Sequence, residues 1–412
     1  WGDFHPYVYK TTDHGKHWTE ITAGLPPDQY VTSVREDPNA PNLLFVGTSK
    51  TAYMSLDGGA HWEPLTLSLP TVQITDIEIQ PEQHAVVLAT YGRAFWVLDQ
   101  LQYLEQLGTA QVSKNAPYLF KPQQTWLVKR SVGGSGGAEH NEGENLPPGL
   151  TVFFHLPADY DGHTPVKLSF TDASGKLINI FLPRESDSDT QVAHAAATRL
   201  HPGMNHILWN LRYPTATKVK GAYHAGRSVT VPIGPEVVPG TYYAELTYNG
   251  QSWRQPFVVK LDPRLDTTQS ALEQRFDLLM RIQAAINELD ITLNQATALR
   301  SGLEQAVRGR QASANEQRSV LAALDRDIDA VINFRIQSSR GFDVYPPRLR
   351  SWLSAIYNRV DFAFVQPTAE MKQVANEYIG NERDGVARLR ADIARANALL
   401  ARGEHPAASR GG

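Results

Sequence analysis

The chain has 412 residues, a length that corresponds to roughly two to four domains. Its 39 basic and 43 acidic residues nearly balance, which argues against a surface dedicated to nucleic acid or to anionic membranes. The absence of cysteine excludes disulfides and cysteine-based metal sites, and no apolar run reaches the roughly 18 residues of a membrane-spanning helix.

A motif of the form Ser/Thr-x-Asp-x-Gly-x-x-Trp occurs twice near the start of the chain, at an offset of 44 residues from Asp13 to Asp57. The two copies consist of Thr11, Asp13, Gly15 and Trp18, and of Ser55, Asp57, Gly59 and Trp62. This is the Asp-box pattern of a hairpin turn. Two copies at a regular spacing predict a repeated β architecture.

The chemistry of each box predicts a structural role. An Asp carboxylate can accept hydrogen bonds from the backbone N–H groups of its own turn, and Gly15 and Gly59 supply the positive φ that a tight turn needs. Trp18 and Trp62 begin the next strand and can pack against the hairpin. The alternative is that the boxes bind a ligand or a metal. We favour the structural interpretation because each carboxylate is committed to its own turn.

Nine short β-rich segments surround the boxes, and we expect residues 1–107 to form the final blades of an incomplete β-propeller, beginning within a blade. Asp99 stands where a third box would follow, but neither Gly nor Trp comes after it. A propeller needs roughly 16 to 32 strands, so these nine cannot close a ring. We expect the missing strands to come from an upstream portion of the same precursor or from a partner chain.

Residues 108–149 read as a linker, because the stretch 131–149 is rich in glycine and polar residues. From 150 to 264, about seven strands separated by turns predict an Ig-like β-sandwich, with a hairpin at Asn249-Gly250 and Trp209 as a core aromatic.

Residues 265–402 switch to a helical period, with Leu279, Ile286 and Leu293 along one stripe. Ser270 and Ser313 each precede a Glu by three positions, which predicts two capped helix starts. Further helices are expected from Pro346-Pro347 and after Pro367-Thr368. Four amphipathic helices predict an antiparallel bundle, and residues 403–412 are expected to form an unstructured tail.

Several stretches resemble one known family. PYVYKTTDHGKHW, LLFVGTSKTAYMSLDGGAHWEPL and LATYGRAFWVLD resemble the last blades of large bacterial Asp-box (BNR) proteins, labelled sortilin-like or glycosyl-hydrolase-like. HPGMNHILWNLRYP and PGTYYAELTYNGQSWRQPFVVKLDPR resemble the later modules of the same family. The resemblance implies propellers, an Ig-like module and a helical region, in a secreted or periplasmic protein.

The resemblance brings no active site. Sialidases carry an arginine triad with a Tyr/Glu pair and an acid, and no matching cluster occurs here. Two-propeller hydrolases use paired carboxylates; Asp37 and Asp76 lie near strand ends, but their spacing does not pair them. We therefore predict no catalytic residue, no metal and no cofactor within the chain.

The leading hypothesis is a non-catalytic accessory or scaffold segment of a secreted β-propeller protein, which binds protein or polysaccharide. One alternative is the structural C-terminal part of a secreted glycoside hydrolase whose active site lies upstream. A second alternative is a subunit of a large extracellular assembly.

Overall fold

The computed structural model describes residues 2–65, 68–109, 115–128, 148–182, 200–220, 232–309, 314–333 and 347–404. Within these ranges the chain is mixed β and α, with seventeen strands in five sheets and five helices. None of the helices in these ranges combines the length and the apolar character needed to cross a membrane.

The nine strands predicted near the start are all present, in three antiparallel sheets in chain order. The first sheet has two strands, β1 (Tyr9–Lys10) and β2 (Thr19–Glu20). The second has four strands, β3 (Val31–Glu36), β4 (Leu44–Thr48), β5 (Ala52–Ser55) and β6 (Glu63–Pro64). The third has three strands, β7 (Ile74–Gln80), β8 (Ala85–Thr90) and β9 (Phe95–Leu98).

The second and third sheets share one apolar core. Strand β4 is buried along its whole length, and Phe45 packs in one cluster with Ile74, Ile77 and Val86 of the third sheet. Gly47 permits this approach, because a Cβ at this position would lie 2.7 Å from the side chain of Ile74. The continuous apolar run of β4 is the pattern expected of a strand covered on both faces.

The segment predicted as a linker contributes to the fold. The predicted linker, residues 108–149, includes the end of α1 (Gln102–Thr109) and contains β10 (Tyr118–Leu119) and β11 (Thr125–Leu127). Residues 110–114 and 129–147 lie outside the described ranges. Each strand joins a sheet of the next region, so the linker prediction is wrong for residues 118–127. Strands of two and three residues are too short to show a periodic pattern.

Two sheets form the next region. The three-stranded sheet has the order β10-β12-β15, and the five-stranded sheet has the order β11-β17-β16-β13-β14. The strands not yet defined are β12 (Leu150–Leu156), β13 (Val166–Asp172), β14 (Leu177–Phe181), β15 (Gly203–Trp209), β16 (Gly240–Tyr248) and β17 (Gln251–Leu261).

The two sheets bury a common core. Trp209 of β15 is fully buried and stacks on Phe170 of β13, with 4.2 Å between ring centroids, so the prediction of a core aromatic is confirmed. The hairpin between β16 and β17 turns at Asn249 and Gly250, whose φ values are 47° and 76°. Positive φ at both central residues is the geometry that the Asn-Gly pair predicts.

Four further helices follow in the predicted order: α2 (Gln269–Gly309), α3 (Ala314–Val331), α4 (Leu349–Asp361) and α5 (Ala369–Glu404). Thr268 immediately precedes α2 and caps it, because its Oγ1 accepts a hydrogen bond from Ala271 N at 3.2 Å. The prediction that Ser270 caps this helix is therefore wrong; Ser270 lies inside its first turn. Ser313 and most of the predicted tail lie outside the described residues, and α5 runs two residues into that tail.

The helix directions differ from the expected antiparallel arrangement. Near their starts α2 and α5 meet where Lys372 Nζ donates to Gln274 Oε1, and near their ends Gly302 faces Leu400. These contacts make α2 and α5 parallel neighbours. Helices α3 and α4 run in the direction opposite to α2, one after the other. Asp325 of α3 pairs with Arg300 near the end of α2, and Arg350 of α4 pairs with Asp290, which lies earlier in α2.

The predicted stripe of α2 packs within the chain. Leu279, Ile286 and Leu293 are fully buried, in one cluster with Tyr357 of α4 and Leu389 of α5. The stripe therefore belongs to an intramolecular core, the destination that the three further amphipathic helices favoured.

Candidate functional site

The two Asp-boxes form the same turn twice. In the second copy, between β5 and β6, Asp57 Oδ1 accepts hydrogen bonds from His61 N at 2.9 Å and from Ser55 Oγ at 2.8 Å. Ser55 Oγ in turn accepts from Gly59 N at 2.9 Å. The hydroxyl and the carboxylate together hold the backbone donors of the turn.

The first copy lies between β1 and β2 and repeats this geometry. Asp13 Oδ1 accepts from Lys16 N at 3.0 Å and from His17 N at 2.9 Å, and Thr11 Oγ1 accepts from Gly15 N at 2.9 Å. Gly15 and Gly59 have φ values of 84° and 91°, as their place in a tight turn requires. Both carboxylates are thus occupied by their own turns.

Sequence reasoning missed a histidine in each box. His17 Nδ1 lies 2.5 Å from Asp13 Oδ2, and His61 Nδ1 lies 2.7 Å from Asp57 Oδ2. Burial acts to raise the pKa of Asp57, but hydrogen bonds from His61 and Ser55 outweigh it and lower that pKa to about 2. The signal was present in the sequence, because a His precedes the Trp in both copies.

The two box tryptophans have different surroundings. Trp62 is 3% exposed and donates its indole N–H to the carbonyl of Ile21 at 2.7 Å, which fastens the second sheet to the first. Trp18 is 61% exposed and donates instead to Gly15 of its own turn at 3.1 Å. Only the second box therefore joins two sheets among the described residues.

Asp37 and Asp76 have separate partners. Asp37 is buried and accepts backbone hydrogen bonds from Asn39 at 2.7 Å and Ala40 at 3.2 Å. Burial raises the pKa of Asp37 despite these bonds. Asp76 instead accepts from Arg35 at 2.8 Å on the surface. The two acids therefore do not share a hydrogen-bond network.

A charged network that sequence reasoning missed connects the two-sheet region to the helices. Arg212 pairs with Glu236 and with Asp361, each at 3.0 Å, and Arg275 pairs with Asp361 at 2.7 Å. Burial raises the pKa of Glu236 even though Arg212 and Arg275 lower it. The four residues are distant in sequence, so spacing gave no signal. Their mutual pairing indicates a structural junction.

A cleft of about 200 Å³ lies where the third sheet and α1 meet the two-sheet region. Asp99, Gln102 and Tyr103 line it from the end of β9 and the start of α1, and Gln124 and Trp126 line it from the segment around β11. Five of its sixteen lining residues are glutamine, which makes the lining rich in neutral amides.

Asp99 differs from the two box aspartates. Its carboxylate makes no hydrogen bond or ion pair with any described residue, and burial raises its pKa, whereas hydrogen bonds lower the pKa of Asp13 and Asp57. The next residue, Gln100, has φ of 64° and donates its side-chain N–H to Thr151 Oγ1 at 2.9 Å across the junction. The Asp99 carboxylate is therefore not held by a turn, and Asp99 lines the cleft.

Across the described ranges, no group of three or more His, Asp and Glu residues could hold a metal ion. Comparison with protein-family models finds no match to this chain, and comparison with curated protein sequences finds no significant relative.

Proposed function

We propose that the chain is a non-catalytic scaffold segment of a secreted or periplasmic Asp-box β-propeller protein, with an Ig-like sandwich and a helical bundle after its blades. The repeated turn carries the proposal. Each box joins the last two strands of its sheet, and each carboxylate is occupied by backbone and side-chain donors of its own turn. Such residues stabilise blades and leave little capacity for substrate chemistry.

The open edges of the sheets support the proposal that the chain binds strands of a partner. Phe95 lies in the edge strand β9 and Tyr91 shortly precedes that strand, and each is 75% exposed. Tyr9 lies in β1 and Tyr7 precedes it, and both are exposed. Large exposed apolar side chains on unpaired strands are typical of docking edges. We infer that neighbouring blades, from the same precursor or from another chain, cover them.

The described cleft gives no support to glycoside hydrolysis within this chain, while the alternative of a hydrolase whose active site lies upstream stays a prediction. Hydrolysis of a glycosidic bond uses two carboxyl groups, and Asp99 is the only acidic residue among those that line the described cleft. A scaffold that binds protein or polysaccharide needs no such pair.

Sedimentation velocity of the whole chain tests the docking edge. We expect concentration-dependent association, which Phe95→Lys reduces because a charge blocks strand pairing at β9. The control is Phe362→Lys at the end of α4, an equally exposed aromatic that lies on no sheet. A chain that remains monomeric while the β9 amides are strongly protected from hydrogen exchange would contradict the proposal.

A further inference from the structure

The cleft beside Asp99 has polar groups that the fold does not use. Gln102 Oε1 is buried and has no hydrogen-bond partner among the described residues. The Asp99 carboxylate is also unpaired within that part of the chain. The side chain of Gln102 lines the cleft, so its amide group can contact an occupant together with Asp99.

The backbone at the same place is strained. Gln100 adopts a left-handed conformation, which non-glycine residues rarely adopt, and its side chain is held by Thr151 of the neighbouring region. Such outliers persist where the surrounding structure enforces them, and they concentrate at functional sites. Here the strained residue immediately follows the unpaired carboxylate.

The lining also has aromatic character. Tyr103 stacks on Phe153 with 4.4 Å between ring centroids and 20° between planes, and Trp126 lines the cleft with them. A sugar ring presents apolar C–H groups on its face and hydroxyl groups on its rim. Aromatic rings can pack against the C–H groups of the sugar face. Amides and a carboxylate can hydrogen-bond to its hydroxyl groups, since an amide both donates and accepts.

We propose that this cleft binds a neutral pyranose unit of a polysaccharide, with the Asp99 carboxylate accepting a hydrogen bond from one hydroxyl group and the Gln102 amide bonding to another. The volume of about 200 Å³ is below the roughly 300–1,000 Å³ typical of sites for drug-sized ligands, which fits one sugar unit better than a long chain. Lys121 lines the cleft together with Asp99, so the lining carries no net charge, which suits a neutral sugar. The inference deepens the proposed function by naming the class of polysaccharide and the residues that bind it.

Saturation-transfer difference NMR on the whole chain tests the site, with cellotetraose, xylotetraose, mannotetraose and maltotetraose as neutral probes and a heparin tetrasaccharide as the anionic probe. We expect transfer to at least one neutral probe and none to the heparin probe. Asp99→Ala and Gln102→Leu should each weaken the binding about five- to tenfold, the effect of losing one hydrogen bond.

Gln373→Leu is the matched control, because Gln373 is an exposed glutamine of α5 outside the cleft. It should bind like the unmodified chain, and melting curves should show that all three variants fold. The proposal is overturned if no neutral probe binds, if only the heparin probe binds, or if both cleft variants bind as the control does. None of these results would bear on association through β9, so the two proposals fail separately.

Discussion

The indole N–H of Trp62 and the backbone carbonyl of Ile21 form a 2.7 Å hydrogen bond between two successive sheets. Ile21 immediately follows β2, so the second box fastens its own turn and also the sheet before it. The indole N–H of Trp18, the equivalent residue of the first box, donates instead to a carbonyl of its own turn. One sequence motif therefore has two different energetic roles.

Trp62→Phe should destabilise the fold by about 1–3 kcal/mol, because it removes the indole donor and part of a buried ring. Trp18→Phe is the matched control and should change stability by less than about 0.5 kcal/mol, as expected of an exposed side chain. Urea unfolding followed by fluorescence measures both. Equal losses in the two variants would show that Trp62 does not join the sheets.

Asp57→Ala should cost about 1–2 kcal/mol at pH 7 by leaving turn donors unsatisfied. The value is modest because the Asp57 side chain is 44% exposed to solvent. The folded-state pKa of about 2 lies below the ordinary 3.8, so the stabilisation is full above about pH 4 and is lost as the pH falls towards 2. Denaturant unfolding at several pH values should show the difference between variant and parent shrinking over that interval, while any binding activity of folded protein stays unchanged.

Arg275→Met should destabilise the chain by about 3–5 kcal/mol. Arg275 is buried, and its loss leaves Asp361 and Glu236 sharing Arg212 as their partner in the network. Arg35→Met provides the comparison, because its pair with Asp76 is exposed and should contribute less than about 1 kcal/mol. If guanidinium unfolding gives similar values for the two variants, the network does not hold the helices to the two-sheet region.

Glu382 of α5 should make the fold less stable as the pH rises. Burial raises its pKa from 4.5 to about 7, so the folded state binds the proton more tightly than the unfolded state. Stability is then greatest below about pH 4.5 and decreases as the pH rises towards 7. Glu382→Gln should remove this dependence and gain about 1–3 kcal/mol at pH 8, but little at pH 4.5. Melting temperatures at the two pH values measure the effect, and an equal gain at both would show that the carboxylate does not titrate in this range.

The sequence by itself determined the local features of this protein. The two boxes, the Asn249-Gly250 hairpin and the apolar stripe through Ile286 each depend on residues close together in the chain. Turn hydrogen bonds and side-chain periodicity act over four to seven residues, so their patterns can be read without the fold. The nine strands near the start followed from the same short-range information.

Only the tertiary structure decided how these elements meet. The strands around Tyr118 and Trp126 form because distant strands pair with them. Helix α5 runs parallel to α2 because α3 and α4, between them in the chain, both run in the opposite direction. Arg212 and Asp361 are separated by 149 positions, and their pairing requires both regions to be folded. The cleft beside Asp99 likewise arises from a junction of two regions, since packing between remote segments leaves no periodic signal in either one.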